Sequence, residues 1–216
     1  MPLPMVHLAV AVKLYEQKNR QIDPEFLLGS LAPDAIHARP GTTRADKDRT
    51  HFFFTGDPAV FENQIDTFVA KQVVACDNPV ERAFAAGYAT HVLTDRVWAM
   101  TVFTRFRRAA DAVMDKEARR LLYYRETEKV DFQLYRNEPW RVPVWEGLQI
   151  AEPLAVANLL TAEEVRAWQM HTLRWFEQNS EPVEEPQYIT EAIVNDFIGR
   201  ATHAVIEQWR LWGLAN

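Results

Sequence analysis

His91 and Asp95 are the residues of this sequence whose types and spacing most directly suggest chemistry. They lie four apart in a segment with the pattern of a long helix, so both side chains lie on one helix face. An imidazole nitrogen and a carboxylate oxygen on one face are a common arrangement for binding a divalent metal ion. A hydrogen-bonded His–Asp pair inside a helical core would give the same pattern, so the pair alone leaves both interpretations open. Gly87 is one turn earlier on the same face and would allow another backbone to approach closely.

Three further residues occur where each would be unusual as a merely structural group. His7 lies within the apolar helical pattern of residues 5–18, where an imidazole without a partner is costly to bury. Asp34 comes at the end of a short apolar helix, where a carboxylate is unfavourably placed in the helix dipole. His51 begins an apolar run directly after a polar segment. A carbonyl hydrogen bond, a turn cap and a surface position are the ordinary alternatives for the three, but all five residues together favour a metal site.

In this order and spacing the five residues resemble the zinc-dependent phospholipase C superfamily, which also contains the single-strand-specific zinc nucleases. Members are all-α bundles with an N-terminal His, an Asp in a short turn, a following His, and a His-x-x-x-Asp on a long central helix. The resemblance covers the first half of the chain and is greatest with the shorter, unsecreted bacterial branch of phospholipase C-like hydrolases. It implies that one zinc ion is held by His51, His91, Asp34 and Asp95, and that His7 and a bridging Asp95 serve a second. It also implies that Asp34 orients or deprotonates the attacking water.

The sequence departs from secreted members of this superfamily at the remaining metal ligands. Those members place a His six residues after the Asp of His-x-x-x-Asp, where this chain has Thr101, and a His-x-x-x-Glu follows shortly. The only such spacing here is His203 and Glu207, far later in the chain, which we interpret as a pair on a helix surface. We therefore expect one or two zinc ions, or a similar divalent metal, rather than a three-metal cluster.

Basic residues crowd the segment between Asp34 and His51. Residues 38–50 have no apolar period and contain Pro and Gly, so they are predicted to form a mobile loop. A solubilising loop is the ordinary interpretation. The alternative is a phosphate clamp, because guanidinium groups bind phosphate oxygens in a bidentate manner. The candidate substrate-binding residues are Arg39, Arg44 and Arg49, with Lys47 beside them.

Glu128 and Asp131 are candidates for residues that contact the metal ligands without binding the metal themselves. They lie three apart on a predicted helix, near the face of Tyr124. A solvated acidic helix face would explain them equally well.

The elements that must position these residues are predicted to be helices throughout. Strand alternation with turn dipeptides is essentially absent. Proline, capping residues and apolar periods predict helices at 5–18, 24–32, 58–75, 79–111, 115–135, 161–178 and 188–211. The segment 139–153 has three prolines and two Trp and gives no clear prediction. We expect a single all-α domain over 1–216, with the metal-site half at about 1–110 and a helical remainder at 111–216.

Composition limits the classes of function that this chain can have. The chain has 24 Lys and Arg against 30 Asp and Glu, a net charge of −6, which argues against stable nucleic-acid binding through bulk positive charge. Cys76 is the single cysteine, so no internal disulfide can form. The N-terminal segment does not resemble a signal peptide, and no apolar run is long enough to span a membrane. The sequence therefore predicts a cytoplasmic protein without a transmembrane segment.

These observations predict a metal-dependent hydrolase, a phosphoesterase that uses zinc-activated water. Its substrate would be a small phosphoester, such as a phosphodiester, or a phospholipid. The alternative is a non-catalytic helical module of the same fold that binds metal or a partner. A hydrolase of the histidine-aspartate type is disfavoured, because no adjacent His-Asp dyad occurs.

Overall fold

The computed structural model describes residues 3–17, 19–53 and 55–214. These residues contain ten α-helices and no strand, with one isolated β-bridge between Val156 and Leu160. The all-α prediction is confirmed. The helices are α1 (Pro4–Gln17), α2 (Pro24–Gly29), α3 (Arg44–Thr50), α4 (Pro58–Val69), α5 (Pro79–Trp98), α6 (Thr104–Ala110), α7 (Lys116–Asn137), α8 (Arg141–Ile150), α9 (Ala162–Gln178) and α10 (Glu191–Leu211). Lys18, the last residue of the first predicted helix, lies outside the described residues.

Polar caps and prolines start the helices where the sequence predicted them. The Asp57 side chain accepts from Ala59 N at the start of α4, and the Asn78 side chain caps α5. Thr161 and Glu164 form a reciprocal capping box at the start of α9. Each cap satisfies backbone N–H groups that have no partner within the first helical turn.

The prediction of a loop over 38–50 is wrong for its second half, which forms α3. A capping box between Thr43 and Asp46 starts this helix, and Arg44 pairs with Asp48 one turn along. Thr50 is its only buried residue, so the helix shows no apolar period in the sequence. Capping and i,i+4 pairing replace apolar burial as the local signals for this short helix.

Two other segments differ from the prediction or complete it. The helix predicted over 79–111 is interrupted by a π-helical turn at Ala99–Phe103, which separates α5 from α6. The segment 139–153, which gave no clear prediction, contains α8. A second π-helical turn, Ala70–Val74, extends α4.

Helices α2 and α5 approach each other through two glycines. A Cβ on Gly87 would lie 2.8 Å from the Ser30 backbone nitrogen and closer still to the carbonyl oxygen of Phe26. A Cβ on Gly29 would collide in the same way with the backbone at Phe84. The close approach predicted at Gly87 is therefore confirmed, and it brings the end of α2 against the centre of α5.

Helix α1 lies in the interior and is held at its N-terminus by α7. It packs against α5, α7 and α10, and ten of its 14 residues are buried. Both carboxylate oxygens of Asp131 accept a hydrogen bond from Met5 N, at 3.1 and 3.3 Å. None of the helices in the described part of the chain combines the length and apolar character needed to span a bilayer.

Candidate metal centre

The five residues singled out in the sequence converge on one buried place. His7 comes from α1, His91 and Asp95 from α5, and His51 from the end of α3. Asp34 comes from a 3-10 helix, Ala32–Ala38, that follows α2. Four of the five side chains are almost fully buried, whereas the Asp34 side chain is 13% exposed. Asp34 is thus the member of the cluster that faces the outside.

The nitrogen and oxygen atoms of this cluster face one another at nearly constant spacing. His51 Nε2 lies 3.4 Å from Asp34 Oδ1 and 3.4 Å from Asp95 Oδ2. His91 Nε2 lies 3.9 Å from Asp34 Oδ2 and 3.8 Å from Asp95 Oδ2. On the other side of Asp95, His7 Nε2 lies 3.4 Å from Oδ1. The two oxygens of Asp95 therefore face different histidines.

These spacings suit ligands of a shared cation better than direct hydrogen bonds. Ligands at 2.0–2.1 Å from a zinc ion at tetrahedral angles lie about 3.4 Å from one another. Two trios of donor atoms each lie within 4.8 Å of one another, His7–His91–Asp95 and Asp34–His51–His91. A mixed imidazole and carboxylate donor set is one that zinc prefers.

Several atoms of the cluster that could bind a metal ion are buried without a hydrogen bond. Within the described residues, neither ring nitrogen of His7, nor Nε2 of His91, nor either oxygen of Asp95 makes one. Burying polar atoms in this way costs free energy unless something else binds them. The site therefore fits a cation, and it would be an unfavourable arrangement for packing alone.

Backbone carbonyls orient two of the histidines. His91 Nδ1 lies 2.8 Å from the Ser30 carbonyl oxygen, and His51 Nδ1 lies 3.0 Å from that of Lys47. Each Nδ1–H donates to its carbonyl, so each Nε2 carries the lone pair and points into the cluster. Such outer partners fix the tautomer that a metal ligand requires.

The protonation states of the cluster residues also suit metal binding. Burial, followed by the neighbouring His7, lowers the pKa of His91 to about 3, so its imidazole is neutral. Burial by itself would raise the pKa of Asp95, but His7, His91 and His51 bring it to about 2. Burial opposes ionisation of Asp34 as well, and Lys47 with His51 and His91 holds the Asp34 pKa well below its usual value. Neutral imidazoles and ionised carboxylates are the forms that bind metal.

A cleft of about 620 Å³ opens directly onto Asp34 and Asp95. Six lysine and arginine side chains and seven aromatic side chains contribute to its wall. The cations are Arg44, Lys47, Arg107, Lys116, Arg119 and Arg120, and the aromatics are Trp98, Phe103, Phe106, Tyr123, Tyr124, Trp168 and Trp175. The wall thus combines apolar surface with groups that bind anions.

The predicted basic residues have separate places. Arg44 lines the cleft, whereas Arg49 lines a different groove beside Phe52. Arg39 donates two hydrogen bonds to Glu164, at 2.6 and 3.0 Å, and so joins this segment to α9. Lys47 reaches the cluster itself, because its Nζ lies 3.0 Å from Asp34 Oδ1.

The predicted supporting acids also separate. Glu128 lines the cleft, and burial raises its pKa. Asp131 instead accepts hydrogen bonds from the backbone N–H of Met5, which lies two residues before His7. It therefore positions α1 and does not line the cleft. Thr101 donates to the Val97 carbonyl at 2.6 Å and does not line the cleft.

His203 is exposed on α10, and Glu207 pairs with Arg210, so the His203–Glu207 pair lies on a helix surface as predicted.

Sequence reasoning missed the contributions of α7 and α9 to the cleft. Lys116, Arg120 and Tyr124 are four apart on α7, and Trp168, His171 and Trp175 share one face of α9. The regular spacing was visible in the sequence, but nothing there showed which face would meet Asp34.

Fold and site together define a class of protein: an all-α chain with a buried histidine–aspartate centre compatible with metal binding, as in metal-dependent hydrolases. The family described as zinc dependent phospholipase C matches residues 1–129, and the chain belongs to this family. The matched residues include all five members of the cluster. No curated protein and no solved structure matches the chain.

Proposed function

We propose that this protein is a zinc-dependent phosphoric-ester hydrolase that acts on a phosphodiester or a phospholipid. The observation that carries the proposal is the buried His–Asp cluster, with orphaned donor atoms, at the base of a cleft walled by cations and aromatics. Cations suit phosphate oxygens, and the aromatic wall suits an apolar substituent of the ester. Family membership supports a hydrolase of this general kind.

The five cluster residues divide between two ions in the arrangement we propose. Asp34, His51, His91 and Asp95 Oδ2 would hold the first, because Nε2 of each of these histidines lies 3.4–3.9 Å from a carboxylate oxygen of both aspartates. His7 and Asp95 Oδ1 would contribute to a second. A bound zinc ion lowers the pKa of water and neutralises charge on phosphoryl oxygens.

Asp34 is the residue we propose to orient and deprotonate the attacking water. It is the more exposed of the two cluster aspartates that line the cleft, and Lys47 keeps its carboxylate ionised. An ionised carboxylate at the base of the cleft can accept a proton from water lying above it. Lys47 also lines the cleft and can bind a phosphoryl oxygen of the substrate.

Glu128 is the residue we propose to protonate the leaving group. Of the four carboxylates that line the cleft, Asp34 and Asp95 belong to the cluster and Asp48 pairs with Arg44. Glu128 makes no hydrogen bond or salt bridge within the described residues. Burial raises its pKa, which favours the protonated form that a general acid needs.

The direct test combines metal analysis with turnover. Protein purified without chelator should contain one to two equivalents of zinc and should cleave bis-p-nitrophenyl phosphate in a zinc-dependent reaction. Asp34→Asn should abolish cleavage, whereas Asp196→Asn, an exposed control on α10, should leave it unchanged. Zinc-loaded protein that hydrolyses no phosphoester would contradict the proposal and favour a non-catalytic metal-binding module.

A further inference from the structure

The turn between α6 and α7 forms a basic face in an acidic protein. Residues 104–122 contain six Arg and Lys and three Asp and Glu, a net charge of +3, whereas the whole chain has −6. Asp111 pairs with Arg107 and Arg119 and joins the two helices. Arg105, Arg108 and Lys116 form no salt bridge within the described residues, and all three are exposed. The positive charge of this hairpin is therefore available to a partner.

Large apolar side chains are exposed on the same hairpin. Val113 at the turn is 68% exposed, Leu121 on α7 is 57% exposed, and Tyr124 one turn further is 47% exposed. The three side chains fall within twelve residues of the chain, and exposed apolar side chains that lie close together commonly mark interaction sites. Apolar side chains interspersed with Arg and Lys are typical of surfaces that lie at a membrane interface.

The hairpin face is continuous with the cleft of the candidate metal centre. Lys116, Arg120 and Tyr124 belong both to α7 and to the cleft wall. A partner on this face would therefore lie at the entrance through which a substrate reaches Asp34.

We propose that the α6–α7 hairpin binds the surface of a bilayer rich in anionic phospholipid. Val113, Leu121 and Tyr124 would enter the boundary between headgroups and acyl chains, and the basic side chains would bind anionic headgroups. The positive charge of the hairpin favours this partner. An anionic surface would attract the hairpin and repel the rest of the chain, whose net charge is negative. The inference deepens the proposed function, since it names a membrane as the source of the ester, but its test is binding rather than turnover.

Co-sedimentation with vesicles tests the proposal. The whole protein should bind vesicles of equal parts phosphatidylcholine and phosphatidylglycerol and should not bind phosphatidylcholine alone. Added salt should weaken the binding by screening. Repeating the assay with Asp34→Asn excludes any contribution from lipid turnover.

Substitutions on the hairpin separate this face from the rest of the surface. The double substitution Val113→Glu and Leu121→Glu introduces two negative charges. Each charge should weaken vesicle binding about fivefold, so the double variant should bind about 25-fold more weakly or worse. Arg108→Glu tests the charge alone and should also weaken it by about 25-fold. Leu211→Glu is the matched control, because Leu211 is 80% exposed at the end of α10, where the neighbouring Trp212 donates a hydrogen bond to Asp66 of α4. It should retain binding.

The outcomes separate this proposal from the proposed function. Equal binding to both kinds of vesicle would overturn the proposal that the hairpin binds an anionic bilayer. Equal losses of vesicle binding in the hairpin and control variants would also overturn it. Retention of a single-stranded oligonucleotide through Arg108 without vesicle binding would also overturn it. If the protein binds vesicles but cleaves no phosphoester, membrane binding by the hairpin is supported and the proposed hydrolase activity is refuted. Cleavage of bis-p-nitrophenyl phosphate should be unchanged in Leu121→Glu, because Leu121 does not line the cleft.

Discussion

Gly87→Ala should destabilise the fold and weaken metal binding through a single added methyl group. The new Cβ would lie 2.8 Å from Ser30 N and closer to the Phe26 carbonyl oxygen, distances that packed carbon atoms do not adopt. Helix α2 must therefore move away from α5. Because both obstructing groups belong to the backbone, no side chain can rotate to relieve the clash.

The magnitude follows from two opposing terms. Overpacking a rigid contact costs about 3 kcal/mol, at the upper end of the usual range. Alanine in place of glycine within a helix returns about 1 kcal/mol through backbone entropy. The free energy of unfolding of Gly87→Ala should therefore fall by about 2 kcal/mol. For a chain of this length that corresponds to a decrease in Tm of about 4–8 °C.

Gly199→Ala is a matched control for this substitution. Gly199 lies within α10 and a Cβ there would meet nothing within 4 Å, so only the entropic gain applies. Its Tm should rise by about 2–4 °C. Thermal unfolding by circular dichroism measures both variants. Equal stability of Gly87→Ala and Gly199→Ala would refute the close contact between α2 and α5.

Metal affinity provides a second measurement on the same variant. The Ser30 carbonyl accepts from His91 Nδ1, so displacement of α2 removes the group that orients this histidine. Loss of such an outer partner weakens metal binding by about 10–100-fold. Competition with a chromogenic chelator should show this loss for Gly87→Ala and none for Gly199→Ala.

Substitutions at the centre and in the cleft provide two further predictions. His91→Ala and Asp95→Ala should each lose zinc by elemental analysis, because removing one ligand leaves the others unable to hold the ion, whereas His203→Ala should keep it; the reverse pattern would contradict the ligand set. Glu128→Gln should slow cleavage of a dialkyl phosphodiester by about a hundredfold or more, since an alkoxide leaving group needs a proton. Bis-p-nitrophenyl phosphate should be cleaved at the wild-type rate, and equal slowing of both substrates would argue against the proton donor.

Local signals in the sequence determined the helices and the chemistry of the candidate ligands. Asn78 and a following proline define the start of α5, and its helical period places His91 and Asp95 on one face. Both properties depend on residues within one or two turns, so they can be derived without the rest of the chain. The prediction failed at α3, where capping and surface ion pairs replace an apolar period. The organisation as one domain stays a prediction.

Tertiary structure alone decided which side chains meet. Arg39 was expected at a phosphate site, but its partner is Glu164, which lies 125 positions away in the sequence. Asp131 caps the start of α1 from 126 positions away, and no local pattern pairs it with Met5. The cleft is likewise formed by faces of α7 and α9 whose periodicity is visible in the sequence but whose direction is not. Helical periodicity fixes which residues share a face, whereas the direction of that face depends on packing between helices such as α2 and α5, where Gly87 allows the contact.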